Sequence, residues 1–177
     1  MAQKISCGID IGTDRVKVLI AERGETLPHI LGCGFADSIG VRHGYIERPE
    51  ETAVAVRDAM SAAAKAAGVR PGRAVVGVGG IGLSSVVLSG SIAVSRADGE
   101  ITTLDADKAL EASRSSIPSS LLQNRRVIYQ TVLQYKIDGK AIPASPIGLK
   151  GAKLEARVFF AMCMEQHLEN LIEAVEA

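Results

Sequence analysis

The sequence lacks an excess of charge of either sign. Its 177 residues include 20 Lys and Arg and 20 Asp and Glu, so the formal net charge is zero. A protein that binds a nucleic-acid backbone neutralises phosphates with lysine and arginine, and the domain that does so is usually basic. The balance of charges therefore argues against nucleic acid as a partner.

Cysteines and long apolar runs are also scarce. Cys7, Cys33 and Cys163 are far apart and form no CxxC pair, which predicts reduced thiols packed as small hydrophobic side chains. No stretch approaches the 18 apolar residues of a membrane-spanning helix, and the N-terminus has no signal-peptide core. We therefore expect a soluble, intracellular protein.

The most informative segment present is Cys7–Thr13, in which an apolar run ends in Asp10 and is followed by a glycine and a hydroxyl. A second apolar run begins at Val16, which predicts a β-hairpin whose turn presents N–H groups and the Thr13 hydroxyl to an anion. We expect Asp10 to be buried, where its carboxylate needs a cation or a donor. Hydrated Mg²⁺ would serve, so the segment fits half of a magnesium–nucleotide site. It fits equally an ordinary hairpin in which turn amides bind Asp10.

The rest of the N-terminal region alternates strand and helix signals. Pro49 at the first helical position and Gly68 after the last predict a helix over 49–67. Its core is mostly alanine, which allows close approach to a sheet. The predicted strands cover 5–11, 15–22, 27–36 and 74–78.

A glycine run at Gly77–Gly82 fits the pattern GxGxxG. A dinucleotide-binding fingerprint requires a helix that begins inside the glycines. The following residues, 83–94, have the pattern of strands. We therefore expect no nicotinamide or flavin site here, only a flexible passage into another module.

The region after the glycine run differs in pattern and charge. Residues 84–163 carry a net charge of +3 and the remainder −3, which agrees with an inserted module. An amphipathic helix around Leu168–Val175 follows this region. Within the module we predict short strands at 86–88 and 91–94, a helix at 105–113, long half-exposed strands at 127–137 and 153–162, and an ordered connection over 138–152.

Several of these segments resemble a known superfamily. Gly8–Thr13 is similar to the first phosphate-binding loop of the actin-like ATPases, which include actin, heat-shock chaperone ATPases, sugar kinases and the bacterial proteins FtsA and PilM. Residues Gly40–Ile46, 126–139 and Ser145–Ala156 resemble the bacterial cell-division protein FtsA. These later segments favour the FtsA family over the kinases and over PilM, and the resemblance covers nearly the whole chain.

The resemblance implies an α/β fold, namely the first lobe of an actin-like (ribonuclease H-like) fold with an inserted small α+β subdomain of the SHS2 type. Residues 1–83 plus 164–177 would form subdomain 1A, incomplete in this chain. Residues 84–163 would form the inserted subdomain 1C.

The resemblance also implies a nucleotide half-site. Asp10 would position Mg²⁺ through water, and Gly12 and Thr13 would hold ATP phosphates. Asp14, Arg15 and Lys17 complete the predicted site; the family commonly has Lys where Arg15 stands, and the two cations differ in geometry. The family's second phosphate loop and adenosine-binding residues lie beyond residue 177. We therefore expect this chain alone to bind ATP more weakly than millimolar, or not at all, and not to hydrolyse it.

The implied role is that of a non-enzymatic adaptor. In the FtsA family the insert meets neighbouring FtsA subunits and the cytoplasmic tails of late division proteins such as FtsN. The FtsZ-binding subdomain and the membrane-binding helix lie in regions beyond this chain. The family works at the inner face of the cell membrane at the division site. The alternatives are a PilM-like pilus assembly protein and a small sugar or acid kinase, which would need an acid or base partner beside Asp10.

Overall fold

The computed structural model describes residues 5–177, which divide into two compact units. Unit 1 comprises the residues up to Gly82 together with Glu165–Ala177, and unit 2 comprises Leu83–Met164. These junctions differ by one residue from those predicted from the sequence, and residues 1–4 of the predicted first subdomain lie outside the described part.

The elements follow one another in a mixed order. In chain order they are β1 (Ile5–Ile11), β2 (Arg15–Glu22), β3 (His29–Asp37), β4 (Val41–Arg42), β5 (Tyr45–Ile46), α1 (Pro49–Ala67), β6 (Val75–Val76), β7 (Leu83–Ala93), α2 (Thr103–Ser115), α3 (Ser119–Leu122), β8 (Arg125–Ile137), β9 (Lys140–Ile142), β10 (Lys153–Met164) and α4 (Glu165–Glu176). No helix within residues 5–177 is both long and apolar enough to cross a membrane.

Unit 1 is built on a four-stranded sheet of order β3-β2-β1-β6, in which only the β1–β6 pair is parallel. Alternate residues of β1 and β2 are buried on one face, because side chains of a strand point to opposite faces in turn. Helix α1 packs on that face through alanines such as Ala59 and Ala63. Its bounds confirm the prediction, with Pro49 in the first turn and Gly68 left-handed at φ 66° after the last.

Close approach of α1 to the sheet depends on two glycines of β3. A Cβ added at Gly34 would collide with the carbonyl oxygen of Ala59 and would lie 2.5 Å from the Ala63 nitrogen. A Cβ at Gly32 would lie 2.7 Å from the Ala63 carbonyl oxygen. The helix backbone therefore rests almost directly on the strand backbone.

Unit 2 is an antiparallel sheet of order β7-β10-β8-β9 with α2 packed on one face. The core contains the fully buried side chains of Leu154, Val158, Phe160 and Met162, all on β10. Helix α2 begins with a capping box: the Thr102 hydroxyl accepts the Asp105 N–H, and the Asp105 carboxylate accepts the Thr102 N–H.

Several predictions for unit 2 were wrong in detail. Residues 83–93 form one continuous strand, because β10 pairs with β7 along its whole length, including Gly90. Helix α2 extends two residues beyond the predicted 105–113 at each end; it starts earlier because Thr102 is its N-cap, and it runs to Ser115 before the C-cap Ser116. The segment 138–152 contains β9, which forms a hairpin with β8, and α3 was not predicted.

The expectation that all three cysteines pack as small hydrophobic residues also needs correction. All three are free thiols, but Cys33 is exposed, while Cys7 and Cys163 are buried. Burial raises the pKa of the Cys7 and Cys163 thiols. Cys33 is exposed because it lies on β3 between Gly32 and Gly34, which face α1.

Candidate functional site

The predicted site residues come together at the β1–β2 turn. Antiparallel pairing sets Asp10 opposite Lys17 and Ile11 opposite Val16. The N–H of Gly12 donates to the Arg15 carbonyl oxygen at 3.0 Å and closes the turn, which also contains Thr13 and Asp14. All six residues therefore lie on one short hairpin tip, as expected for a turn flanked by two strands.

Asp10 is not buried, which corrects the sequence-based expectation. Its side chain is 63% exposed, and its Oδ2 lies 3.0 Å from the Nζ of Lys17. Cys7 and Ile9 point toward α1, so Asp10 at the next position points to the opposite face of the sheet. An exposed ion pair of this kind contributes little to stability, which leaves the carboxylate accessible to a hydrated cation.

The most buried carboxylate among the described residues is instead Asp105, whose exposure is 5%. Its partner Thr102 lowers the pKa of the Asp105 carboxyl through hydrogen bonds from the hydroxyl and from the backbone N–H. The sequence pattern Thr102-x-x-Asp105 ahead of a helix could have indicated this role. Its function is to cap α2.

Thr13 has a partner that the sequence did not predict. Its Oγ1 accepts the backbone N–H of Gly44 at 3.0 Å, across 31 positions of the chain. Gly44 lies in the two-residue turn between β4 and β5, with a left-handed φ of 72°. The hydroxyl proton of Thr13 is left to donate elsewhere.

Arg15 lies between two carboxylates. Its Nε is 3.6 Å from Oδ2 of Asp14 and 3.9 Å from Oδ1 of Asp37, and all three side chains are exposed. The carbonyl oxygen of Asp14 accepts the N–H of Ser38 at 2.9 Å and so joins the turn to the end of β3. An anion at the turn would therefore compete with Asp14 and Asp37 for the Arg15 guanidinium.

The glycine run has a packing role that the sequence did not reveal. A Cβ on Gly80 would lie 2.5 Å from the carbonyl oxygen of Gly44, and Gly80 itself has a left-handed φ of 86°. A Cβ on Gly82 would lie 2.9 Å from Cδ2 of His167. Strand β7 begins directly after this run, which confirms that no helix starts within the glycines.

An open depression of about 400 Å³ lies beside the Asp10–Lys17 pair, on the sheet face opposite α1. Its lining is mostly apolar and includes Leu19, Phe35 and Val75. Within residues 5–177 no group of three or more His, Cys, Asp or Glu side chains is arranged to hold a metal. A magnesium ion near Asp10 would therefore have a single carboxylate to bind, and it would reach that carboxylate through its own water shell, since Mg²⁺ commonly keeps several waters.

The fold and the turn together define a class of protein: an actin-like lobe that carries an SHS2-type insert. Residues 80–161 match the family described as the SHS2 domain inserted in FtsA. Among solved structures, the PilM–PilN type IV pilus biogenesis complex aligns with 97% of this chain and 44% of its own, at a TM-score of 0.60 and 15% identity. At that identity the likeness shows the fold alone.

Among curated sequences, the relatives of this chain include FtsA proteins of several bacteria. The chain is 32% identical over 169 residues to the cell division protein FtsA of Streptococcus pneumoniae. This alignment covers 96% of this chain and 36% of that protein. It is 29% identical to FtsA of Pseudomonas aeruginosa and 26% identical to FtsA of Escherichia coli, each over 40% of the relative's length. Residues 80–161 therefore match the model of the SHS2 domain inserted in FtsA, and the chain is similar to FtsA over nearly its whole length. It spans about two fifths of the length of these relatives.

Proposed function

We propose that this chain forms the phosphate-loop lobe and the inserted docking unit of an FtsA-type cell-division adaptor. The observation that carries the proposal is the Asp10–Lys17 hairpin tip, which places an accessible carboxylate and a free hydroxyl proton together in a relative of FtsA. The curated relatives are named as cell-division proteins and not as enzymes.

In the proposed site, ATP phosphates lie against the turn. Asp10 would hold Mg²⁺ through water, and Thr13 would donate its hydroxyl proton to a phosphate oxygen. Gly12 shapes the turn, because its N–H already donates to Arg15. Lys17 and Arg15 would supply positive charge from β2, Lys17 after loosening its exposed ion pair with Asp10 and Arg15 after loosening those with Asp14 and Asp37.

We infer that these 177 residues do not turn ATP over by themselves. Asp10 is paired with the Lys17 ammonium, and a carboxylate held in an ion pair is a weaker base toward water or a hydroxyl. Affinity for a nucleotide comes from burying most of its surface between walls, and the turn supplies one exposed wall. We therefore expect this chain alone to bind ATP more weakly than millimolar.

An NMR titration with Mg-ATP tests the site, because it detects weak binding residue by residue. We expect amide shifts confined to residues 12–17 at millimolar ligand, with AMP giving none, and a melting temperature that does not change. Thr13→Val should abolish the shifts, whereas Thr26→Val, at an exposed threonine in a distant loop, should not. Shifts that avoid the turn would contradict the site.

We also propose that unit 2 binds partner proteins. Tyr129 and Leu133 on β8 are 58% and 53% exposed; tyrosine is enriched at interfaces, and Leu133 adds apolar area beside it on the same strand. The partners that the family suggests are other FtsA-type subunits and cytoplasmic tails such as that of FtsN, at the inner face of the cell membrane.

Cross-linking tests the docking proposal. The double substitution Tyr129→Ser with Leu133→Ser should reduce capture of purified FtsA and of an FtsN-tail peptide. Leu27→Ser, at a leucine that is more exposed still but lies in unit 1, serves as the matched control. Equal capture by both variants would exclude this part of β8 from the interface.

A pilus-assembly role of the PilM type is the second candidate, because the chain shares its fold with the PilM–PilN complex at a TM-score of 0.60, although a shared fold does not by itself indicate that role. That similarity carries 15% identity, whereas the FtsA relatives reach 26–32%. We therefore rank the cell-division role first.

A further inference from the structure

The direction of the hydrogen bond between Gly44 and Thr13 determines what the Thr13 hydroxyl can offer to an anion, because Thr13 accepts in this bond. A hydroxyl has one proton to donate and two lone pairs that accept. The Gly44 N–H occupies one lone pair at 3.0 Å, so it draws the oxygen's acceptor side toward the β4–β5 turn. The proton of the Thr13 hydroxyl is then available to a ligand beyond the β1–β2 turn.

Gly44 is held in place by backbone contacts that admit no side chain. His43 and Gly44 form the two-residue turn of the β4–β5 hairpin, with left-handed φ values of 50° and 72°, which suit such a turn. A Cβ on Gly44 would lie 2.8 Å from the Cα of Gly80. The hairpin and the glycine run therefore touch backbone to backbone.

His167 of α4 contacts both sides of this junction. Its side chain is 1% exposed, and its Nε2 lies 3.0 Å from the carbonyl oxygen of Gly79. A carbonyl oxygen only accepts, so Nε2 carries the proton. The imidazole also stacks on Tyr45, with ring centroids 4.8 Å apart and planes inclined by 22°. Gly79, next to Gly80, and Tyr45, next to Gly44, are thus both in contact with the His167 ring.

The surroundings indicate that this ring is more than a space-filling group. Its Nδ1 is buried and has no hydrogen-bond partner among the described residues, a cost that an apolar ring would avoid. One turn further along α4, the side-chain amide of Asn170 donates to the carbonyl oxygen of Ile46 at 2.7 Å. Helix α4 therefore holds the hairpin at two successive residues, Tyr45 and Ile46.

We propose that His167 is a positioning residue for the anion-binding turn: it joins the 41–46 hairpin to the 77–82 loop and thereby holds the Gly44 N–H on Thr13. The relevance to a ligand rests on the proposed phosphate-binding function. The contact chain runs from His167 through Tyr45 and Gly79 to the Gly44–Gly80 junction and ends at Thr13, and all of these residues belong to unit 1.

The first test measures the Gly44 amide by NMR in the ligand-free chain. His167→Phe keeps a ring for stacking but removes the donor to Gly79. We expect the Gly44 amide resonance to move and its hydrogen exchange to accelerate about fivefold to tenfold, as for the loss of one hydrogen bond. Thr13→Val should do the same, and the double variant should do no more than Thr13→Val alone.

Two controls separate positioning from general destabilisation. His167→Gln, which restores a side-chain N–H donor, should recover part of the Gly44 protection, and His29→Phe, at an exposed histidine of β3, should leave it unchanged. The exchange of core amides such as that of Val18 provides the reference. An unchanged Gly44 amide in His167→Phe, or equal acceleration of Gly44 and Val18, would overturn the proposal.

The second test adds Mg-ATP to the same variants. We expect His167→Phe to weaken the amide shifts of residues 12–17 by about fivefold in apparent affinity, the effect of one hydrogen bond. If nucleotide shifts the turn equally in the wild type and in His167→Phe, the positioning role fails and the phosphate site stands. If His167→Phe changes the Gly44 amide but neither the wild type nor any variant binds nucleotide, the contact chain stands and the proposed function fails.

Discussion

The two units pack a helix on a sheet by opposite means. In unit 1, α1 meets β3 through alanines on the helix and glycines on the strand, so the backbones nearly touch. In unit 2, α2 lies over β10, whose large buried side chains fill the space between helix and sheet. Packing of the helix on the sheet is therefore sensitive to different substitutions in the two units. We expect added atoms to destabilise unit 1 and removed atoms to destabilise unit 2.

One position in unit 2 follows the rule of unit 1. A Cβ on Gly90 of β7 would collide with the backbone nitrogen of Ser113 and lie 2.5 Å from the Ala112 carbonyl carbon. The Ser113 hydroxyl also donates to the Leu88 carbonyl oxygen at 3.0 Å. Large residues thus fill the middle of unit 2, while α2 approaches its edge strand as closely as α1 approaches β3.

The largest effect should come from truncating the core of unit 2. Phe160→Ala removes a fully buried ring and should lower the free energy of unfolding by about 3–5 kcal/mol, through lost transfer energy and a cavity. Phe35→Ala, at an exposed phenylalanine of unit 1, should change it by about 0.5 kcal/mol or less. Urea denaturation measures both. Similar losses of stability for the two variants would contradict the conclusion that buried side chains such as Phe160 hold unit 2 together.

The next effect should come from adding one methyl group to unit 1. Gly34→Ala forces β3 away from the α1 backbone and should cost about 3 kcal/mol, the upper part of the range for overpacked cores. Gly72→Ala, where an added Cβ meets nothing within 4 Å, should be neutral or slightly stabilising. Thermal denaturation of the pair is the measurement. A tolerated Gly34→Ala would mean that α1 can move outward without loss.

Removing the cap of α2 should have a smaller effect that is confined to unit 2. Thr102→Ala breaks the capping box with Asp105 and should cost about 1 kcal/mol. Thr103→Ala, at an exposed residue of the first turn, is the matched control. Hydrogen exchange of the α2 amides should report the loss. Equal exchange in both variants would show that the helix is held by packing alone.

The smallest effect concerns acid sensitivity in unit 2. Hydrogen bonds from Arg96 and from the Glu100 N–H hold the pKa of Asp98 well below its usual value. A lowered pKa in the folded state contributes stability that is present above the unfolded pKa, near 4, and is lost as the pH falls below it. Asp98→Asn should therefore flatten the dependence of stability on pH below about 4. Parallel pH profiles for the wild type and the variant would refute this.

Predictions from the sequence succeeded where the signal was local. The Pro49 and Gly68 signals set both ends of α1, because helix boundaries depend on a few neighbouring backbone groups. The β1–β2 hairpin was predicted with its bounds from two apolar runs around a short turn. In unit 2 the pairing of β7 along its full length overrode the glycine and serine that suggested two strands, as strand pairing often overrides propensity.

The sequence by itself determined the hairpin, the order of the residues at its tip and the resemblance to FtsA, since these are properties of contiguous residues. Only the tertiary structure decided that Asp10 is exposed, because α1 covers one face of the sheet and leaves the other open. It alone brought Gly44 to Thr13 across 31 positions and His167 to Gly79 across 88. Such contacts depend on how the chain packs, and no local pattern encodes them.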